Sequence, residues 1–333
     1  MRKIKIAQIG INKYSHATQI FATLKALPDI FEIAGYALVE NEREECKQKL
    51  AIFDGYKELT LEEILNDESI EAVTVETDEI HLTKYATLAA EHGKHIHMET
   101  PGGESLPEFE KLIATVKKNG KAFNTGYMYR YNPCIKEIIA DVKSGSFGEV
   151  HSLEASMNCI HTDEARKWLG TLKGGMMFYL GCHLIDLAIL IRGMPKSVKT
   201  FNRKTKRSGI DSLDYGMAIL EYDNGCSIIK TDAAEIGGYA RRQLVVTGSK
   251  KTVELKPLEM SFKGGPFLNN LYTNRVTYES SDWFDNGTLE RFEYDRYFDL
   301  LKSFAAMVRG EIENPFTPDY ELELYKLILK CCE

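Results

Sequence analysis

Residues 3–40, KIKIAQIGINKYSHATQIFATLKALPDIFEIAGYALVE, decide the fold. An apolar strand-like run, KIKIAQIG, meets a turn at Gly10; SHATQIFATLKAL then carries apolar residues at helical spacing, and FEIAGYALVE follows as a second apolar run ending in Glu40. Strand, helix, strand in that order is a βαβ unit. The alternation continues with LTLEEILND as a helix, EAVTVET as a buried strand, HLTKYATLAAEHG as a helix closed by Gly93, and HIHMET as a further strand. Parallel strands need such crossovers, so the amino-terminal segment is expected to be an α/β Rossmann domain, a doubly wound parallel sheet with helices on both faces.

After about residue 123 the pattern changes. NPCIKEIIADVKSGSFG reads as an amphipathic helix with a glycine stop, and GGMMFYLGCHLIDLAILIRG as a largely apolar one. Beyond residue 195 come consecutive strands, SVKTFNRKT, DYGMAILEY, CSIIKTDAA, RRQLVVTGS and KTVELKP, with Asp223, Asn224 and Gly225 as a hairpin turn. FEYDRYFDLLKSFAAMVRG and DYELELYKLILKCC read as two closing helices. This second part is expected to be α+β, with a predominantly antiparallel open sheet. The 333 residues suffice for two cores, so the expected domains are 1–123 and 124–333.

A hydrophobic fraction of 44% with 27% charged residues is that of an ordinary globular protein. The net charge of -7 and the lack of a basic stripe argue against nucleic acid as a partner. No apolar run is long enough for a signal sequence or a bilayer span, so neither membrane insertion nor export is expected, and the reading is cytoplasmic. The seven cysteines form no C-x-x-C pair and fit reduced thiols; Cys182, in the apolar helix, reads as a small buried hydrophobe.

The turn after the first strand, Gly10-Ile11-Asn12-Lys13-Tyr14-Ser15-His16, keeps the first glycine of G-x-G-x-x-G and puts Asn12 and Ser15 at the other two positions. Asn tolerates a left-handed backbone and Ser is small, so the turn can still bring backbone N–H groups to a pyrophosphate at a helix N-terminus. Glu40 ends the second strand, where an acid accepts hydrogen bonds from the adenosine ribose and repels a 2′-phosphate; NAD is favoured over NADP. The competing reading of Glu40 is that it opens the solvated run ENEREE.

With these pieces the whole chain resembles the Gfo/Idh/MocA family of oxidoreductases. Thr77-Asp78-Glu79-Ile80-His81 stands where the family has T-P-N-x-x-H, Glu99-Thr100-Pro101 where it has E-K-P, and Tyr129-Arg130-Tyr131-Asn132-Pro133 where it has R-Y/F-N-P. Gly174-Gly175 through His183 is similar to its G-G-G-x-x-x-D-x-G-x-H segment. The resemblance implies an NAD(P)-binding domain followed by a domain for substrate and oligomer contacts, hence a homodimer or homotetramer. It implies oxidation of a secondary alcohol, or reduction of a ketone, on a sugar, cyclitol or related polyol. Thr77, His81, Glu99 and Pro101 then join Gly10, Asn12, Ser15 and Glu40 as cofactor-binding candidates.

Two positions depart from the family pattern: Thr100 replaces the lysine of E-K-P and Tyr179 replaces the aspartate, while His183 matches. A threonine hydroxyl offers a neutral hydrogen bond and no acid–base chemistry near neutral pH, so Thr100 is expected to orient a hydroxyl or the nicotinamide amide. Tyr179 and His183, four apart on a helix, share a face; His183 is the expected base and Tyr179 the hydrogen-bonding acid or orienter. Their bland reading is a core tyrosine and a satisfied core histidine. Arg130 and Trp168 are the remaining substrate-binding candidates, with an interdomain ion pair and core packing as alternatives, and Asp186 is placed to orient His183 or to bind backbone. His16, His95, His97 and His161 lack the companions of a metal site, and no catalytic metal is expected. The eroded glycine turn and the missing lysine make a nucleotide- or sugar-binding protein without hydride chemistry one competing function, and a redox-neutral, NAD-using glycosidase-like enzyme is another.

Overall fold

The computed structural model describes residues 2–261, 267–274 and 287–333. The chain divides into two compact units, Met1–Tyr127 with Tyr297–Lys326, and Met128–Arg296 with Leu327–Glu333.

In the first unit β1 (Ile4–Ile9), α1 (Ala17–Ala26), β2 (Phe31–Ala37), α2 (Glu42–Glu45), α3 (Leu61–Asn66), β3 (Ala72–Val75), α4 (Leu82–Glu91), β4 (His95–Met98), α5 (Leu106–Asn119) and β5 (Phe123–Thr125) alternate. The strands form one parallel sheet in the order β2-β1-β3-β4-β5. β3 is buried throughout and β1 nearly so, as expected of a sheet covered on both faces. The order reverses between β1 and β3, and the crevice of such a sheet opens at the carboxyl ends of those two strands. Gly10 and the Glu76–Glu79 segment occupy those ends.

The second unit holds α6 (Pro133–Lys143), β6 (Val150–Asn158), α7 (Asp163–Leu169), a π-helical turn (Met177–Gly181) leading into α8 (Cys182–Arg192), and β7 (Ser197–Thr200), β8 (Tyr215–Tyr222), β9 (Gly225–Asp232), β10 (Gln243–Gly248), β11 (Thr252–Leu255), β12 (Met260–Ser261), β13 (Phe267–Asn274) and β14 (Thr288–Tyr294). Their sheet runs β12-β13-β11-β10-β6-β9-β8-β7, with β14 on β13. It is antiparallel except for the central β6–β9 pair, which is parallel. The residues of β8 alternate, with Gly216, Ala218 and Leu220 turned to the core, and β10 buries Leu244 and Val246 in the same way.

Two readings change near the end of the chain. Helical periodicity over 292–310 mixes two elements: Phe292–Tyr294 finish β14, paired with β13 from Phe267 to Asn269, and the helix α9 spans only Phe298–Val308. The last helix, α10, spans Pro318–Cys331. Residues 297–326, placed by sequence with the second domain, belong to the first unit. Tyr325 stacks on Phe109 of α5 at 4.0 Å between centroids and donates its hydroxyl to the Gly103 carbonyl, while Glu321 accepts from the Thr125 hydroxyl at 2.8 Å. Amphipathic helices carry no local mark of which sheet they cover.

One buried group in the first sheet has an unusual setting. Glu76, directly after β3, is fully buried, and neither carboxylate oxygen has a hydrogen-bond partner among the described residues; the neutral His97 of β4 lies 3.6 Å away. Burial drives the Glu76 pKa well up and that of His97 down to about 3. An unsatisfied buried polar group costs about 1–3 kcal/mol. Glu76→Leu should therefore leave stability unchanged or raise it by about 1 kcal/mol, read as a denaturant midpoint at or above that of the wild type. A lower midpoint would show that the Glu76 carboxyl makes favourable contacts in the folded protein.

Candidate active site

The phosphate-turn candidates gather at the carboxyl end of β1. Gly10 sits at φ +85, and a Cβ there would stand 2.7 Å from Thr77 Cβ and 2.9 Å from both Thr77 Cα and Glu42 Oε1. Only glycine meets the conformation and the space together. Asn12 and Ser15 are buried and spent on the turn itself: Asn12 Oδ1 accepts from the Tyr14 N–H at 2.9 Å, and Ser15 Oγ from the Ala17 N–H at 3.3 Å, at the start of α1. Asn12 Nδ2 donates to Glu79 Oε2 at 2.7 Å. This bond ties the residue at the second-glycine position to the loop after β3. Lys49 Nζ reaches the Asn12 carbonyl at 2.8 Å and the Ser15 carbonyl at 3.3 Å, closing the turn from the other side.

Gly10→Ala should remove dinucleotide binding and lower stability by about 2–4 kcal/mol, the sum of left-handed strain and a clash with backbone that cannot yield. Thermal unfolding with and without cofactor checks both; an alanine variant with full stability and a full cofactor shift would refute the role given to this turn.

Glu40 is exposed, at φ +49, and its Oε1 accepts from Lys84 Nζ and Tyr85 OH, each at 2.7 Å, with His81 Nδ1 3.9 Å away. The bond from Lys84 holds its carboxyl below the usual range. The acid nearest the first glycine is instead Glu42, hidden in the run ENEREE. It is 5% exposed, and Oε2 accepts from the Val39 N–H at 2.9 Å. Burial pushes the Glu42 carboxyl up to about 7, against hydrogen bonds from the Thr77 side chain and the Val39 and Ile11 backbone, and Glu42 and Thr77 both flank Gly10.

Glu99, Thr100 and Pro101 follow β4. The Thr100–Pro101 bond is cis. Glu99 Oε1 accepts from the Thr100 N–H at 2.8 Å and the Thr100 hydroxyl at 3.2 Å, while Oε2 lies 3.9 Å from His16 Nδ1. The Thr100 hydroxyl is therefore turned onto the carboxylate beside it.

In the second unit Tyr179 lies within the π-helical turn and His183 one step into α8. Single π turns recur where a helix re-aims side chains at a functional site. Tyr179 packs edge-on against Trp168 at 5.0 Å and lies 6.1 Å from the His161 ring; His183 packs edge-on against Tyr129 at 5.7 Å. Burial pulls the His183 pKa down to about 3; Glu259 opposes this, while Arg296, Arg242 and Arg130 add to it. The imidazole is neutral throughout the working pH range.

Asp186 is engaged by Arg130. Its carboxylate takes the Arg130 guanidinium in a two-pronged pair, Nε–Oδ2 at 3.0 Å and Nη2–Oδ1 at 2.9 Å, with both side chains fully buried. Arg130 thus forms an ion pair, but within the second unit and not between domains as the alternative reading has it. His95 accepts from the Ala122 N–H at 2.9 Å, a structural use. Among the described residues no group of three or more His, Cys, Asp or Glu could hold a metal ion.

Sequence reasoning missed a buried network around Glu259. Its carboxylate receives Arg242 Nη1 at 3.0 Å, Arg296 Nε at 2.8 Å together with Arg296 Nη2, and Tyr294 OH at 3.2 Å. Arg296 and Arg242 hold its carboxyl down near 2 against burial. The partners are spread from residue 242 to 296, so no local spacing betrays them.

Residues 3–127 match the model of the oxidoreductase family with an NAD-binding Rossmann fold, and residues 135–254 match the GFO/IDH/MocA C-terminal domain. The chain is 27% identical over 225 residues to a scyllo-inositol 2-dehydrogenase (NADP(+)) of Bacillus subtilis, an alignment covering 66% of this chain and 61% of that protein. It is 24% identical over 325 residues to the myo-inositol 2-dehydrogenase of Thermotoga maritima, covering 92% and 89%. In fold it is similar to a putative NADPH-dependent oxidoreductase from Desulfitobacterium hafniense, with a TM-score of 0.78 and 17% identity over 99% of this chain and 94% of that one. With both domain models matched in chain order, and a β1–β3 crevice built around Gly10, the protein belongs to the Gfo/Idh/MocA family of NAD(P)-binding oxidoreductases.

Proposed function

We propose that the protein is an NAD-dependent oxidoreductase interconverting a secondary alcohol and its ketone on a sugar, cyclitol or related polyol. The observation carrying this reading is the pairing of a matched NAD-binding domain, whose first βα turn is built on Gly10, with a neutral buried His183 at a π-helical turn of the matched second domain. Inositol dehydrogenases among the relatives support the polyol class.

The nicotinamide supplies the acceptor for the hydride leaving the carbinol carbon. His183 takes the hydroxyl proton as the C–O bond becomes a carbonyl, and gives it up in the reverse direction. Burial and the Arg296, Arg242 and Arg130 guanidinium groups disfavour the charged imidazolium, and Glu259 offsets part of that cost. Tyr179, held by Trp168, orients the substrate hydroxyl through its own. Arg130 supports α8 through Asp186, while Trp168 offers an aromatic wall suited to a sugar face.

In the first unit Gly10, Asn12, Ser15 and Thr77 shape the nucleotide turn. Glu40, ionised beside Lys84, disfavours a 2′-phosphate; Glu99, with cis Pro101, fixes Thr100. The seven free cysteines fit a reducing, cytoplasmic setting, and a homodimer or homotetramer fits the family resemblance.

A binding-only protein is favoured by one observation, the inward turn of the Thr100 hydroxyl. Thermal unfolding with NAD and NADP, followed by a panel of inositols and aldoses with each cofactor, separates the readings. A stabilising shift of about 2.7 kcal/mol is expected at a hundredfold excess of NAD over Kd, with reduced nicotinamide formed from at least one polyol. Stabilisation without turnover on the whole panel would favour binding alone.

A further inference from the structure

We propose that the substrate is a polyol bearing a phosphate group, and that the basic loop at 203–207 of the second unit receives that phosphate beside Trp168 and Tyr179. This rests on the oxidoreductase reading above and names the substrate class of the same site.

Topology brings the loop to the site. β6 and β9 run parallel and end together at Asn158 and Asp232, and β8 starts there, with Tyr215 opposite Asp232. His161 follows β6, and its N–H donates to the Ala233 carbonyl at 2.9 Å, just after β9. The connection from β7 to β8 lies at the same end of the sheet: Arg203 bridges to Tyr215, and Arg207 Nη1 donates to the Ala234 carbonyl at 2.8 Å.

A buried clamp fixes the loop to α7. Arg166, whose side chain is fully buried, donates Nη2 to the Arg207 carbonyl at 2.8 Å, and Nε and Nη2 to Asp214 Oδ2 at 3.1 and 2.7 Å. Asp214 also accepts the Thr205 N–H and the Thr205 hydroxyl, each at 2.7 Å. On the same short helix Trp168 packs against Tyr179, whose other ring neighbour is His161. The helix that presents the aromatic wall therefore also carries the loop.

The charge of this loop opposes that of the chain. The protein carries a net charge of -7, yet Arg203, Lys204, Lys206 and Arg207 stand together, all exposed. The acids nearby are largely spent: Asp211 takes Lys204 Nζ at 2.8 Å, Asp214 takes Arg166, and Glu235 takes Lys230 and Arg241. Among the described residues Arg203, Lys206 and Arg207 have no carboxylate within ion-pair distance; Arg203 and Arg207 reach only backbone carbonyls. Lys206 and Ser208 hold φ +56 and +55, a left-handed backbone that is kept only where its surroundings impose it. Guanidinium and ammonium donors fixed without a carboxylate suit a phosphate, and their field steers an anionic substrate to the site.

The test compares kcat/KM, with NAD, for myo-inositol against its monophosphates and for glucose against glucose 6-phosphate and glucuronate. The full-length wild type is set beside the double variant Lys206→Gln with Arg207→Gln, whose thermal unfolding reports whether the fold is kept. The expected result is a preference of about tenfold or more for a phosphorylated compound over its neutral parent in wild type, falling to about one in the variant. The wild-type preference should also fall as salt approaches about 1 M, where exposed charges are screened beyond about 3 Å. Neutral compounds used as well as phosphorylated ones, a preference that survives in the folded variant, or a preference for glucuronate alone overturns the assignment. If the variant does not fold, the salt dependence decides, and a preference unchanged at high salt overturns it. If no compound is turned over, calorimetric titration of the protein, with and without NAD, with glucose 6-phosphate and the inositol monophosphates separates the two readings. Binding that needs the phosphate and is lost in the variant keeps the loop assignment while the hydride reading fails; no binding overturns the loop assignment too.

Discussion

His183→Ala should lower kcat for polyol oxidation by about 10²–10⁴-fold, the usual contribution of a positioned general base. NAD affinity should stay within about twofold, because the nucleotide turn is built on Gly10, Asn12 and Ser15 of the first unit, whereas His183 belongs to the second. His183→Asn keeps a polar group of similar reach and should be equally slow, which separates lost proton transfer from lost packing against Tyr129.

The pH profile gives an independent mark. An ordinary histidine protonates near 6.5 and stops acting as a base below that value. Burial depresses His183 to about 3, so its neutral, base-competent form persists through that range. At saturating cofactor, kcat for oxidation should stay level as pH falls through 6.5, provided the protein stays folded. A limb in kcat at 6.5 that vanishes in His183→Asn would mean the base is solvated and differently placed.

Arg130→Ala is expected to be the most damaging single change to stability, at about 3–5 kcal/mol, because it leaves Asp186 charged and buried without its two-pronged partner. Asp186→Ala should cost a similar amount for the mirror reason. The double variant Arg130→Met with Asp186→Leu should recover most of the loss, since apolar replacement of a buried pair is often neutral. Denaturant unfolding of the three variants measures this. If Arg130→Ala loses less than about 1 kcal/mol, the pair is solvated in solution and Arg130 returns as a substrate ligand.

The two domains of the fold were legible where periodicity is unambiguous. The β1–α1–β2 stretch could be read directly, because buried parallel strands are apolar runs and α1 repeats at helical spacing. β6 could not: VHSLEASMN mixes polar and apolar residues, and its parallel pairing with β9 joins residues some seventy positions apart. The FEY segment was read as helix because its aromatic and acidic residues fit both periods; pairing with β13 makes it strand. Nothing local could show that α9 belongs with the first sheet, since that depends on which apolar surface lies opposite.

The site follows the same rule. Gly10 and His183 stand in motifs with fixed spacing and were readable. The Asn12–Glu79 bond spans 67 positions, and either residue alone looks like erosion of a motif. Glu42 was hidden by its company, because a run of charged residues reads as solvated, and only the fold shows that one of them turns inward against Gly10.

Hydride transfer at a carbon that bears a hydroxyl is the central claim, and isotope transfer tests it most directly. The full-length protein is incubated with NAD and each inositol or aldose of the panel deuterated at the carbinol carbons, and the recovered cofactor is analysed by mass spectrometry. The account predicts deuterium in the reduced nicotinamide with the wild type for at least one compound, and at least a hundredfold slower labelling with His183→Ala. Unlabelled cofactor across the panel, from protein that NAD demonstrably stabilises, would contradict it and leave a nucleotide-binding protein in its place.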